Sequence, residues 1–393
     1  VAVALAATTV ATSAVRSSLS ADREAVGAGS TERAHGGSVD RPLVLTGFVL
    51  AAAAAALALA LHTPIATIVI GLVLFGILHN FLEIRYVTGR FPAILSRSFL
   101  ELLAVLVTGV VVCRLLEGVV GRPAQVAEIG LGYVVLAVGA QRGLEGGRKV
   151  AVWAALVPAA VVSLAWPAYH FVVLSHLHNL VPLVFLWGWA DRIRSEGGRR
   201  AFLAAQVLWV VAVPLVILSG ALDGLLTTDV GIVGSLVGDG HSVLAATAPP
   251  GQAATVLGMR FLTVFAFLQA MHYVVWVWFM PRYAPDASAA FEARVPWLTG
   301  ARVWAVGFIV AAVFGVLFVV DFTQGKALYA AVASYHVYLE FPVLLALLVG
   351  GRALSAPAGA APMRAKRPLD PTHPSSGHFR THPAAGDETR TRT

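Results

Sequence analysis

The chain has little charge and almost no sulfur. Only 12% of its 393 residues are charged and one is a cysteine, Cys113. A lone cysteine excludes an internal disulfide, a CxxC redox pair, a Cys-ligated iron–sulfur cluster and covalent c-type haem attachment. Any metal must therefore be held by nitrogen and oxygen ligands. Scarce charge, with 58% hydrophobic residues, excludes an ordinary soluble globule, whose apolar content is about 45–50%. No basic patch interleaved with aromatics is present, so nucleic acid is not expected as a partner. The net charge of +7 comes mostly from arginines in loops and tail, where it reads as membrane topology.

Residues 1–40 are small and polar. Val1 to Val15 is too short to span a bilayer and lacks the basic flank of a signal peptide, so 1–40 reads as a disordered leader. Residues 352–393 are rich in Pro, His, Thr and Arg without apolar periodicity and read as a disordered cytoplasmic tail. The tail histidines His373, His378 and His382 are expected to be solvated.

Between these ends, residues 41–351 form the expected membrane domain. Ten apolar segments approach the roughly 20 residues that a hydrocarbon core requires: about 43–61, 65–85, 98–116, 126–141, 150–166, 169–190, 202–219, 256–280, 303–320 and 326–349. Loop charge tests this count independently, because Lys and Arg concentrate on the cytoplasmic side. Thirteen basic residues follow even segments: Arg85, Arg90, Arg97, Arg142, Arg148, Lys149, Arg192, Arg194, Arg199, Arg200, Arg282, Arg294 and Arg302. Only Arg114, Arg122 and Lys326 follow odd ones. The expectation is an all-α, polytopic integral protein of the cell membrane with about ten helices and both termini cytoplasmic.

Ionisable groups inside a bilayer are costly, so each is a candidate site residue. His79 falls in the second segment, His170, His176 and His178 in the sixth, His272 in the eighth and His336 in the tenth. All four segments run from outside to inside, whereas the odd segments look like a lipid-facing or packing shell. At about 1.5 Å per residue, His79, His272, Glu340, His178 and His336 reach overlapping depths in the cytoplasmic half. Residues four apart share a helix face, so His79 with Glu83, and His336 with Glu340, each present an imidazole and a carboxylate together. Helical bundles build metal sites from such inward-facing pairs. His79, His176, His178, His272, His336 and Glu340 are the candidate ligands, with Glu340 and Glu83 as catalytic or orienting carboxylates. Such a set suits iron, manganese, zinc or copper.

His176 and His178 point to nearly opposite sides of a regular helix, so only one can face the site unless the helix is distorted. Pro182 removes a hydrogen bond to the carbonyl of His178 and Pro342 one to that of Tyr338, loosening both turns. Glu83 lies near enough to the interface to pair with Arg85 or Arg90 instead. Gln269 is either a donor to the site or packing glue. Tyr273, Trp276, Trp278 and Phe279 read most simply as an interfacial belt, although a flat apolar substrate would find the same residues useful. Glu101 and Glu128 are expected to reach headgroups or solvent, His170 to sit at the interface, and His62 and His241 to lie in loops.

Three stretches together resemble the Brp/Blh family of membrane carotene dioxygenases: Leu78-His-Asn-Phe-Leu-Glu83, Phe265-Ala-Phe-Leu-Gln-Ala-Met-His272-Tyr and Tyr335-His-Val-Tyr-Leu-Glu340. The resemblance covers about 40 residues in short motifs. It implies a histidine-bound non-haem iron that cleaves a carotenoid-like substrate. The chain departs from the family pattern in having His272 alone where the family pairs two histidines, with Leu268 and Trp276 at the flanking positions. Glu also replaces Asp at both acid positions. The expected function is a membrane oxidoreductase, a non-haem iron oxygenase acting on a lipophilic isoprenoid or carotenoid-like substrate, served by a redox partner. A b-type haem electron carrier and a proton-coupled or metal transporter are the alternatives.

Overall fold

The computed structural model describes residues 41–350, which fall within one compact unit; the expected leader, and the tail after residue 350, lie outside the described residues. Ten helices among the described residues are long and apolar enough to cross a membrane. They are α1 (Pro42–His62), α2 (Pro64–Arg90), α3 (Arg97–Val120), α4 (Arg122–Gly143), α5 (Gly146–Ala165), α6 (Pro167–Arg192), α7 (Glu196–Leu218), α8 (Val256–Tyr283), α9 (Gly300–Val320) and α10 (Phe322–Val349). The protein is an all-α, multi-pass membrane protein. Proline at the first or second position starts α1, α2, α4 and α6, where its missing N–H has no partner to lose.

Burial separates interior helices from peripheral ones. Of each apolar stretch, 61% is buried in α2, 67% in α8 and 50% in α10, against 6% in α5, so three histidine-bearing helices are the core and α5 faces lipid. In α2 the buried stripe Ile65, Val69, Leu72, Gly76, His79, Glu83 and Tyr86 advances by three or four residues, the spacing of one helix face. The shell expected of the odd helices is thus largely seen, while even-numbered α6 also lies partly at the edge.

Two glycines set how closely helices approach. A Cβ at Gly139 would lie 3.0 Å from the Pro342 backbone, so α4 crosses α10 at backbone contact. One at Gly89 would collide with the carbonyl oxygen of Ala287. The second contact seats a short helix, Pro285–Arg294, across the end of α2, with Ala287 and Phe291 buried beneath it.

That short helix collects the arginines. Arg85 pairs with Glu292, Arg192 grips both oxygens of Asp286 at 2.8 and 2.6 Å, and Arg90 approaches Asp286 at 3.8 Å. Arg294 donates to the carbonyls of Thr88 and Leu95 at 2.7 and 2.9 Å. Partial burial opposes ionisation of Asp286, but the hydrogen bonds and charge of Arg192, with Arg90, outweigh it and hold the carboxyl below its ordinary value of 3.8. A depressed pKa contributes stability that is present above the unfolded value and lost as pH falls through the folded one. Asp286→Asn is therefore expected to lower the melting temperature at pH 7, by an amount that shrinks as acid protonates the native carboxyl, as checked by thermal unfolding in detergent over a descending pH series.

At the opposite end, residues 219–255 wind through short helices including His241–Thr247, so His241 opens a helix turn rather than lying in plain loop. Arg260 of α8 pins this segment through Asp223 at 2.8 and 2.5 Å and the Leu218 carbonyl at 3.1 Å. Glu128 differs from expectation. It is 1% exposed and bonded to Arg114, because α3 and α4 pack face to face and the arginine supplies the charge that burial demands. Glu101 stays exposed beside Arg97.

Candidate metal centre

His79, His178, His272 and His336, from α2, α6, α8 and α10, close into a ring. Neighbouring imidazole centroids are 5.1 Å apart for His79 and His272, 4.7 Å for His272 and His178, 4.8 Å for His178 and His336, and 4.9 Å for His336 and His79. One ligand atom each from His79, Glu83, His178 and His272 lie within 4.8 Å of one another. These residues could hold a metal ion, and His336 adjoins them with its Nε2 at 3.1 Å from that of His178. Two nitrogens about 2.1 Å from one ion stand about 3.0 Å apart at a right angle and about 3.4 Å apart at the tetrahedral angle, so the observed separation suits a shared ion.

Hydrogen bonds decide which nitrogen of two imidazoles is free. His79 Nδ1 donates to the Phe75 carbonyl at 3.0 Å, and His178 Nδ1 donates to Glu340 Oε2 at 3.1 Å. Each bond places the proton on Nδ1 and leaves Nε2 with its lone pair toward the centre, as carboxylate and carbonyl partners do in metal sites. Several further atoms at the centre are buried without a hydrogen-bond partner: both nitrogens of His272, both oxygens of Glu83 and Oε1 of Glu340. The two carboxyls stand side by side, and His272 Nε2 is 3.7 Å from Glu83 Oε2. Orphaned acceptors packed together in a dry interior are costly. A proton shared between the two carboxyls, which lie within hydrogen-bonding reach of each other, relieves part of that cost, and a cation among them removes it.

Glu83 is free for this role because Arg85 is engaged by Glu292 and Arg90 by Asp286. The alternative of an interfacial pair with those arginines is not formed. Glu83 is 1% exposed and Glu340 0%.

His178 reaches the ring through the break in α6. Helix Pro167–His178 stops at His178, Asn179 and Leu180 form a turn, and a new helix runs from Val181 to Trp189 with Pro182 in its first turn. The break falls where Pro182 withholds its N–H. By contrast α10 stays helical through Pro342. His176 is turned away from the ring. Its Nδ1 donates to its own Val172 carbonyl at 2.9 Å, and its ring lies edge-on to Phe261 and Phe265 of α8, with centroids 5.5 and 5.3 Å away. Two residues from His178 on a regular helix, it takes the opposite face.

The expected aromatic belt on α8 is instead interior. Tyr273 is 7%, Trp276 0% and Phe279 1% exposed, because α8 runs through the bundle. Only Trp278 reaches outward, stacking on Phe48 at 3.8 Å. Val274–Phe279 is π-helical, a widened turn that is frequent beside functional sites. It begins two residues after His272 and places the Trp276 ring 6.3 Å from that of His272. Gln269 Nε2 donates to the Tyr273 hydroxyl at 2.7 Å, and the Tyr273 ring lies 4.9 Å from that of His79. Gln269 thus supports the site through Tyr273. The sequence did not mark the π turn and put Tyr273 in an interfacial belt, with contact to a flat apolar substrate as the alternative; the run of bulky residues after His272 was the available signal. His170 lies apart from the ring, bonded through Nδ1 to Ser163 Oγ at 3.0 Å.

No protein-family model matches this chain, and no curated protein or solved structure shows significant similarity to it.

Proposed function

We propose that this protein is a membrane oxidoreductase that binds a non-haem transition metal, iron foremost, and oxygenates a lipophilic substrate of isoprenoid or carotenoid-like chemistry drawn from the bilayer. One observation carries the reading: four imidazoles from four helices converge with two buried carboxyls, three of whose four oxygens have no hydrogen-bond partner among the other groups around them. Bound there, the metal would supply Lewis acidity and open coordination positions for oxygen chemistry. His79, His178, His272 and His336 would hold it. Glu340 fixes the tautomer and tilt of His178, and Glu83 stands as a further ligand or as a proton acceptor beside His272. The aromatic and aliphatic walls keep water out. Nitrogen and carboxylate donors without thiolate suit iron and manganese as well as zinc and copper; the motif-level resemblance to the Brp/Blh carotene dioxygenases favours iron and a polyene.

The b-type haem alternative would need a flat slot between two axial histidines, whereas these rings meet one another at 4.7 to 5.1 Å. Purification from a metal-replete host, metal quantification and an absorption spectrum test the reading. About one iron per chain and no Soret band are expected. A Soret band, or no stoichiometric transition metal, overturns it. Incubation of the iron-loaded protein with bilayer-dissolved carotenoids then tests the substrate class, with oxygenated products expected.

A further inference from the structure

Access to the ring of histidines is unequal. His79, Glu83, His272, His336 and Glu340 are each 2% exposed or less, while the His178 side chain is 13% exposed. On the arginine side the centre is closed by Tyr86, Phe185 and Trp276, whose rings lie 5.4 to 5.8 Å apart. On the other side Tyr273 and Tyr329 cover it, the latter donating to the Gly76 carbonyl at 3.3 Å. The remaining approach runs past His178, from the side of the bundle that faces lipid.

The segment on that approach is weakly held. None of the twelve residues Pro167–His178 is fully buried, whereas Val181, Pro182, Phe185, Leu186 and Trp189 are, out of nine in the half that follows. The turn at Asn179 and Leu180 separates the two halves. What ties the outer half down is sparse: at its end His178 bonds to Glu340 and His336, Arg114 lies over the Phe171 ring at 5.8 Å, and two further contacts are made by histidines outside the ring. His170 Nδ1 meets Ser163 Oγ at 3.0 Å, and that hydroxyl meets the Tyr133 hydroxyl at 2.9 Å. His176 packs on Phe261 and Phe265, with Nε2 at 3.5 Å from the Phe261 carbonyl. The two α6 histidines that take no part in the ring are therefore fastenings of the helix that carries His178, beside the bonds of His178 itself and the Arg114–Phe171 contact.

We propose that Pro167–His178 is a bilayer-facing flap, hinged at Asn179 and Leu180, latched at the ring by His178 and fastened outside it by His170 and His176, which opens to admit an apolar substrate sideways from the membrane. The choice of substrate rests on the function proposed above; the movement of the flap does not. A molecule entering here must already be dissolved among lipid tails. Swinging the flap also withdraws His178, so access and the ligand set are coupled.

The test uses the full chain in lipid nanodiscs. Cys113 is the sole cysteine, so Cys113→Ser gives a clean background for spin labels at Val173→Cys on the flap and Val316→Cys on α9, both lipid-exposed at 45% and 62%. The metal-free distance distribution is expected to gain a second, displaced population in the His170→Ala/His176→Ala variant; Ser163→Ala, which removes only a hydroxyl, should give a smaller gain. In the iron-loaded protein, 1,10-phenanthroline should extract the metal about tenfold faster from the double variant, with unchanged iron content before extraction. A single unshifted population in both variants overturns the flap. Displaced labels with unchanged extraction overturn its role in access. Failure of the unmutated chain to bind iron overturns the proposed function instead, and leaves the distance measurement to judge the flap.

Discussion

Alanine at His272 is expected to leave the purified protein with less than about a tenth of the metal bound by the unmutated chain, and with no oxygenation of a polyene substrate. His272 is 1% exposed, neither of its nitrogens has a hydrogen-bond partner, and it touches both His79 and His178. Its removal takes one donor from the middle of the ring and leaves a void that no other donor can fill. His336→Ala should behave alike, since His336 bridges His178 and His79 from the other side. His176→Ala is the control: it lies only two residues from His178 but turns the other way, so it should retain the full metal complement. Metal content measured on monodisperse, helical preparations decides the matter. Full occupancy in His272→Ala would place the metal elsewhere or nowhere.

The second large effect is expected at Glu340, where the choice of substitution separates two roles. Its Oε2 receives the Nδ1 proton of His178, and partners of that kind change metal affinity by about 10–100-fold. Glu340→Ala should therefore weaken binding within that range, as read by competition against a chelator. Glu340→Gln keeps a carbonyl oxygen able to accept the same proton. If Glu340 works by orienting His178, glutamine should recover most of the lost affinity. If Oε1, which has no partner in the protein, is itself a ligand, glutamine should be nearly as damaging as alanine. Equal affinity in all three proteins would deny Glu340 either role.

Much of this was readable from the sequence, because the bilayer makes composition and position speak together. Ten spans followed from hydropathy and loop arginines, and their ends agree with the helices to within a few residues, as for 43–61 against Pro42–His62 and 256–280 against Val256–Tyr283. Parallel direction and shared depth brought His79, His178, His272 and His336 to a common level. Choosing His178 over His176 was beyond the sequence, since one helix face or the other had to be selected by the rotation of α6 after its break. The fate of Glu83 was equally hidden. It depended on Glu292 and Asp286, more than 200 residues away, capturing the arginines that local sequence offered it. The interior path of α8 was misjudged for a related reason: Trp and Tyr near a helix end suit an interface and a core equally well, and only the packing of the short helix Pro285–Arg294 over the adjacent end distinguishes them.

The central position of α2 bears on how the protein is made. His79 and Glu83 enter the bilayer early in synthesis, yet the groups that surround them, His178, His272, His336 and Glu340, are added about 100 to 260 residues later. At roughly 5–20 residues per second, the ribosome leaves α2 in lipid for several seconds or more with a polar face that has nothing to meet. The last of the ten helices completes the ring. Biogenesis therefore has a natural final check: a chain that stops short of α10 carries an unmatched imidazole and carboxylate within the membrane, the kind of mark by which an unfinished protein is recognised and removed.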